Sequence, residues 1–322
     1  MPIQPGPGDV HLDQALTDLS VRFTQDHQEF VAAKVFPVVN VSFRSDKYFV
    51  YPREWWYKTD ATKRAPATES AGGGYELDSD DYKAEVYAFH RDLDDQTRAN
   101  AQSQITLEAD ATDFVTTNLL QLREQQWVEK YFAASVWTGE TTLSGTDQWD
   151  DYANSDPIDD MRTVVIDMAR GTGKRPNKLV LGPEVWNKLQ DHPAFLERVK
   201  YTERAVIGTE ILASMLNIGE VLVPESIKQE KQEGETVAFT DYDFHLGKNA
   251  LFLYVAPSPG LNTASAGYTF NWSGLNGSAG QGIRMKKFRM EAIASDRVEG
   301  EMAYDQKVVS ADLGSILLSC VS

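Results

Sequence analysis

The chain has one cysteine, Cys320, among its 322 residues. A lone thiol excludes an intrachain disulfide and any cysteine-based zinc site. Its place in the apolar run Ile316-Leu317-Leu318-Ser319-Cys320-Val321 marks it as a small buried hydrophobe. Long hydrophobic runs are missing too. No stretch approaches the ~18 apolar residues needed to span a membrane. The opening Met1-Pro2-Ile3-Gln4-Pro5-Gly6-Pro7-Gly8 lacks the basic stretch and apolar core of a signal peptide. The expectation is a protein made in a reducing cytoplasm, with no membrane partner.

Basic residues are scarce beside acidic ones: 31 Lys and Arg against 48 Asp and Glu, a formal charge of −17. Affinity for double-stranded nucleic acid comes from Lys and Arg neutralising phosphates, so this chain is unsuited to wrapping DNA over its whole surface. It can still line a DNA-filled space without gripping the DNA. The five histidines, His11, His27, His90, His192 and His245, are scattered without metal-ligand spacing. No Gly-x-Ser-x-Gly elbow is present. Three acidic clusters stand out: Asp78, Asp80 and Asp81; Asp92, Asp94 and Asp95; Asp147, Asp150 and Asp151. None has the spacing, the turn glycine and the terminal Glu of a calcium loop, and solvated loops are the expectation for all three. No catalytic residue, cofactor or metal site is assigned.

What is present is an ordinary globular composition, long enough for two domains or for one with long extensions. Residues 1–40 begin as a Pro/Gly-rich arm. A thin helical stripe follows (Leu12, Leu16, Leu19, Phe23, then Val31, Val35 and Phe36) and needs something else to lie against. Residues 41–51 and 82–90 read as strands, rich in aromatic and β-branched side chains. Pro66 and Gly72-Gly73-Gly74 lie between them as loop chemistry. Paired arms of ~15–20 residues would extend ~50–65 Å at ~3.3 Å per residue, beyond a compact domain. Its aromatic residues, Phe49, Tyr51, Trp55, Trp56, Tyr57 and Tyr75, are the candidate contacts with a neighbouring subunit.

The longest helical pattern runs from about 107 to 132. Thr106 is its expected N-cap, and Leu107, Ala111, Phe114, Val115, Leu119, Leu122, Trp127 and Tyr131 form its apolar face. No buried polar site is expected on that face. Asp156-Pro157 signals another helix start, with Ile158, Met161, Val165 and Met168 buried and Gly171 closing it. Gly171-Thr172-Gly173-Lys174 follows a helix and precedes a strand, the reverse of a phosphate-binding loop, and reads as a C-cap and turn. Short strands at 178–181, 221–223, 237–240 and 250–255 alternate with helices from Pro183 and around Ile211–Leu216. The last stretch, from Ile283, reads as strands interrupted at Gly300. The alternation of helices and short strands from 157 to 255 fits a compact α/β or α+β unit.

From Lys178 onward the residues resemble a known family. Lys178-Leu179-Val180-Leu181-Gly182-Pro183-Glu184-Val185-Trp186, then Leu189, His192-Pro193 and Leu196 to Tyr201, are similar to major capsid proteins of tailed bacteriophages. So are Ile211-Leu212-Ala213, Val221-Leu222-Val223, Gly247 to Pro257, Gly267-Tyr268-Thr269-Phe270 and Ala311-Asp312-Leu313-Gly314. The resemblance implies the Hong Kong 97-type capsid fold, α+β in class. Its parts would be an N-terminal arm (1–40), an extended loop (41–91), a peripheral domain (92–156 with 281–322, spine helix about 107–132) and an axial domain (157–280). It implies self-assembly into hexamers and pentamers of an icosahedral head shell, with portal, scaffolding and decoration proteins as further partners and packaged DNA touched only non-specifically. The location implied is the virion, after assembly in the host bacterial cytoplasm. Only about 40 residues precede the loop, so a separate scaffold or none is expected. Lys58 and Lys63 lie in the loop, but no motif assigns either to a crosslink. Three rivals stay open: an encapsulin-like compartment shell, a hydrolase using the scattered acids, and another virion component such as a tail or collar protein.

Overall fold

The computed structural model describes residues 30–100, 107–199, 208–229, 231, 234–260, 263–276 and 282–322. The expected stripe from Leu12 to Phe23, the Thr106 cap and Tyr201 lie outside them. Two five-stranded sheets form the body.

The strand Ser295–Val308 is the axis of the first sheet. Glu85–Asp94 pairs antiparallel along one edge, from Tyr304↔Glu85 to Ser295↔Asp94. Along the other edge lie Ile283–Met290 and then Gly267–Trp272, both antiparallel. Val38–Val41 joins Gly267–Trp272 in parallel. Side chains alternate across a strand, so Val298, Met302 and Tyr304 share one face. That face packs on the helix Leu107–Tyr131 through Ala111, Val115 and Leu119. Gly300 does not interrupt the strand; it lets the helix sit close. A Cβ there would lie 2.7 Å from Val115 Cγ1 and 2.8 Å from Leu119 Cδ1.

The second sheet runs Gly139–Thr142, Gly314–Leu318, Ala250–Leu253, Lys178–Leu181, Glu220–Leu222. Both faces of its three inner strands are covered, which is why Lys178–Leu181, Ala250–Leu253 and Gly314–Leu318 read as largely apolar runs instead of alternating ones. Leu179, Leu181, Phe252 and Leu317 face the helices Pro157–Thr172, Pro183–Gln190 and Thr209–Leu216. Val180, Leu251, Leu253 and Ile316 face Val35, Phe36, Trp127, Phe132 and Trp137. Cys320 is buried in the first of these cores. The long helix therefore serves both sheets, its first turns on one and its last on the other.

The helix Pro157–Thr172 starts as expected. Asp156 accepts the N–H groups of Ile158 and Asp159, each one a donor the helix itself leaves unpaired. Its end lies two residues beyond the expected Gly171. Gly173, at φ 68°, takes the left-handed conformation that suits glycine. The segment 237–240 is a 3-10 turn at Phe239–Asp241 instead of a strand, and the strand begins at Tyr242. Residues 82–90 are also divided. Asp78–Lys83 pairs with Ser45–Val50, and Glu85–Asp94 with the central strand, the change falling at buried Ala84.

Candidate assembly surfaces

Two elements are candidates for contact with other copies. The first is the segment that leads in from residue 30. Ala32–Val35 forms one helical turn, and its N-terminal amides have no partner in so short an element. Glu124, on the long helix and wholly buried, supplies one. Its carboxylate accepts Val31 N–H at 3.1 Å and Ala32 N–H at 2.8 Å. Burial pushes the Glu124 carboxyl up to about 7; the amide bonds to Ala32 and Val31, and the charges of Arg123 and Lys34, pull the other way. Arg123 is buried beside it. The apolar face read from the sequence therefore contains a buried polar pair, while its Phe114 is exposed and meets Arg91 at 5.5 Å. Downstream, Phe36 sits fully buried with its ring edge-on to Trp127 at 5.9 Å. Burying such a ring stabilises the docked segment by roughly 2–3 kcal/mol.

The second element is the hairpin of Ser45–Val50 with Asp78–Lys83. Its ladder is six residues per arm, about 20 Å, and far shorter than the expected span. The intervening polar residues Thr59 to Gly74 have no strand period, and they form irregular loop. At the hairpin's base Tyr82 stacks on Phe270 at 4.5 Å, and Tyr48 donates to Asp80 at 2.8 Å.

The six candidate contact residues divide into two groups. Tyr51, Trp56 and Tyr75 come together on the surface, with ring centroids 5.4 to 6.5 Å apart. Trp56 is 59% exposed and Tyr75 61%. Phe49 is exposed nearby in sequence. Tyr57 and Trp55 touch the body instead, although Tyr57 stays 64% exposed. Tyr57 donates to Thr172 O at 2.5 Å, and Trp55 is half-buried. Sequence reasoning missed Arg53, which donates to Gly171 O at 2.7 Å and pairs with Asp312 at 3.2 Å.

The acidic clusters belong to the framework. Asp92 receives a two-pronged contact from Arg297 at 2.7 and 2.8 Å. Asp94 accepts Thr97 N–H, and Asp95 pairs with Arg289. These three lie on a strand end and a helix start, not on the expected loop, and Asp78, Asp80 and Asp81 lie on a strand. Asp150 accepts Ser322 N–H, and Asp151 holds the turn at Asn154. Among the described residues no group of three His, Cys, Asp or Glu is placed to hold a metal ion.

Among the described residues one serine–histidine side-chain contact is seen, Ser155 Oγ to His192 Nε2 at 3.2 Å. It is wired the wrong way for a nucleophile. Ala194 N–H donates to His192 Nδ1, so the ring proton sits on Nε2 and points at Ser155. Ser155 gives its own proton to Asp151 O. Burial also lowers the His192 pKa and keeps the ring neutral.

A two-sheet body carrying a hairpin loop, with a long helix shared between the sheets, is the architecture of Hong Kong 97-type capsid subunits. Similarity to solved structures bears this out. A phage-related protein from Bordetella bronchiseptica RB50 aligns with a TM-score of 0.70 at 20% identity, over 92% of this chain and 93% of that one. The mature capsid of bacteriophage PhiM1 aligns at 0.63 and 13% identity, over 96% and 92%. The SrpI encapsulin of Synechococcus elongatus PCC 7942 also shares the fold, at 0.55 and 9% identity, over 96% and 95%. Likeness at that level establishes fold alone, and sequence separates the two kinds of shell. The chain belongs to the family described as phage major capsid protein E, which matches residues 89–250. It is also 25% identical over 248 residues to the major capsid protein of Burkholderia phage BcepMu, 76% of each chain. It is thus a structural protein of a phage capsid, a subunit of a shell built from many copies.

Proposed function

We propose that this chain forms the icosahedral head shell around the double-stranded DNA of a tailed phage, as hexamers and pentamers of itself. Its role is structural and not enzymatic. The observation that carries the reading is the exposed Tyr51–Trp56–Tyr75 cluster on a hairpin loop. Aromatic side chains are favoured anchors at protein interfaces, and this cluster stands in water in the single subunit. The loop would lie over an adjacent copy, and the N-terminal arm, residues 1–40, would clasp another. In this reading residues 41–91 act as the extended loop, 157–280 as the axial domain, and 92–156 with 281–322 as the peripheral domain. The surplus of acidic residues suits an inner wall along which DNA slides without sticking. Assembly would take place in the host cytoplasm, with a portal protein and, where used, separate scaffolding or decoration proteins.

The test is negative-stain electron microscopy of the purified chain, with and without its neighbouring genes. Closed polyhedral shells or flat hexamer sheets are expected. A compact monomer under every condition would overturn the reading, and so would tight, salt-dependent DNA binding by the free subunit.

A further inference from the structure

Beyond its base, the loop that carries the aromatic cluster is fastened to its own subunit by the turn around Arg53 and Tyr57. Arg53 opens a 3-10 turn, Arg53–Trp55, Tyr57 follows it, and both reach the C-terminal end of the helix Pro157–Thr172. Arg53 Nη1 donates to Gly171 O at 2.7 Å and Tyr57 Oη to Thr172 O at 2.5 Å. These carbonyls carry the negative end of the helix dipole, so a guanidinium there is favourable. Arg53 Nε also pairs with Asp312 Oδ2 at 3.2 Å, and Asp312 is itself held by Thr138 at 2.7 Å.

Two features show that this docking is built for the loop and does more than close the helix. The helix already ends properly at Gly173, whose N–H returns to Ala169 O. Gly173 also leaves room for the Tyr57 ring: a Cβ there would stand 2.9 Å from Tyr57 Oη. The fastening is nevertheless light. Arg53 is exposed, Tyr57 is 64% exposed, and Trp55 Nε1 is buried without a hydrogen-bond partner. Groups like these are easily traded for others of the same kind.

We propose that the Arg53–Tyr57 turn is an assembly latch. It holds the loop against the subunit's own helix end and must let go before the Tyr51–Trp56–Tyr75 cluster settles on a second copy of the chain. The latch rests on the loop-over-neighbour reading above. A subunit free in solution thereby keeps its adhesive surface tethered, and assembly waits on exchange of one set of contacts for another.

Trypsin reads the latch directly, because Lys58, Lys63 and Arg64 are exposed just beyond it. In the unassembled full chain, Arg53→Ala with Tyr57→Phe should raise the rate of cleavage at these three positions about tenfold, since two hydrogen bonds and an ion pair no longer oppose local opening. Assembly followed by light scattering should show a shorter lag. Asp312→Asn, which alters only the body side, should move both readouts in the same direction and less far. Cleavage at the wild-type rate in both variants overturns the latch. So does faster cleavage with slower assembly, which would mean that the contact is one the finished shell keeps. The proteolysis result stands whether or not shells form. A wild-type chain that never assembles would therefore count against the shell reading and leave the latch to be judged on cleavage alone.

Discussion

The carboxylate of Glu124 accepts the backbone N–H of Ala32 at 2.8 Å across 92 residues of sequence, wholly out of contact with water. A side chain of the long helix thus caps the segment by which the N-terminal part of the chain enters the body. Replacing Glu124 with Ala would leave the Val31 and Ala32 amides buried and unpaired. The expected loss is about 2–3 kcal/mol in the stability of the unassembled subunit, read from urea unfolding midpoints.

The same carboxyl predicts a pH dependence. Its pKa in the fold is raised from 4.5 to about 7, so between those values the folded state binds more protons than the unfolded one. The contribution is greatest below 4.5, declines as pH rises toward about 7 and is level above it. Glu124→Gln should remove that slope and leave the rest of the pH profile unchanged. An unaltered slope in the variant would assign the titration to another group.

Asp92 has the opposite sign. The Arg297 guanidinium holds its carboxyl below the usual 3.8, so the pair's contribution is full above that value and fades as pH falls below it. Asp92→Asn should cost about 1 kcal/mol at neutral pH and flatten the acid limb of the stability curve.

Gly300 lies where helix and sheet approach most closely. Gly300→Ala would place a methyl group under 3 Å from both Val115 and Leu119 and force the helix off the sheet. A cost of about 1–3 kcal/mol is expected, measured as a lowered unfolding midpoint with an unchanged denaturant slope.

Trp56 and Tyr75 test assembly apart from folding. Both are largely exposed, so Trp56→Ala with Tyr75→Ala should alter subunit stability by no more than about 0.5 kcal/mol. Shell or sheet formation, scored by electron microscopy, should be lost. Shells forming normally from the double variant would remove this cluster from the interface.

Several elements were legible because their signals are local. Asp156-Pro157 announces a helix start through groups one to three residues apart. The apolar runs at 178–181 and 250–253 announce strands covered on both faces. The capsid resemblance was legible as well, since it lies in residue order. The six aromatic residues were found by type and loop position, but not the clustering of three of them or the hydrogen bond that ties Tyr57 to the body. That hydrogen bond depends on where the helix end at Gly171 and Thr172 arrives in space.

Three of the misreadings share one cause. Glu124 reads as one more charged residue on a helix until the amides it serves are brought to it. Gly300 reads as a break until Val115 and Leu119 are seen to fill the space a side chain would take. Asp92 reads as solvated until Arg297 stands beside it.

By itself, then, the sequence determined the α+β class, the long helix, the aromatic loop and the family, all of which rest on periodicity, local capping or residue order. Only the tertiary structure decided which charge is buried, which glycine is a contact and where the loop is fastened. Burial and hydrogen bonding at those positions are set by groups tens to hundreds of residues away, and no local pattern encodes them.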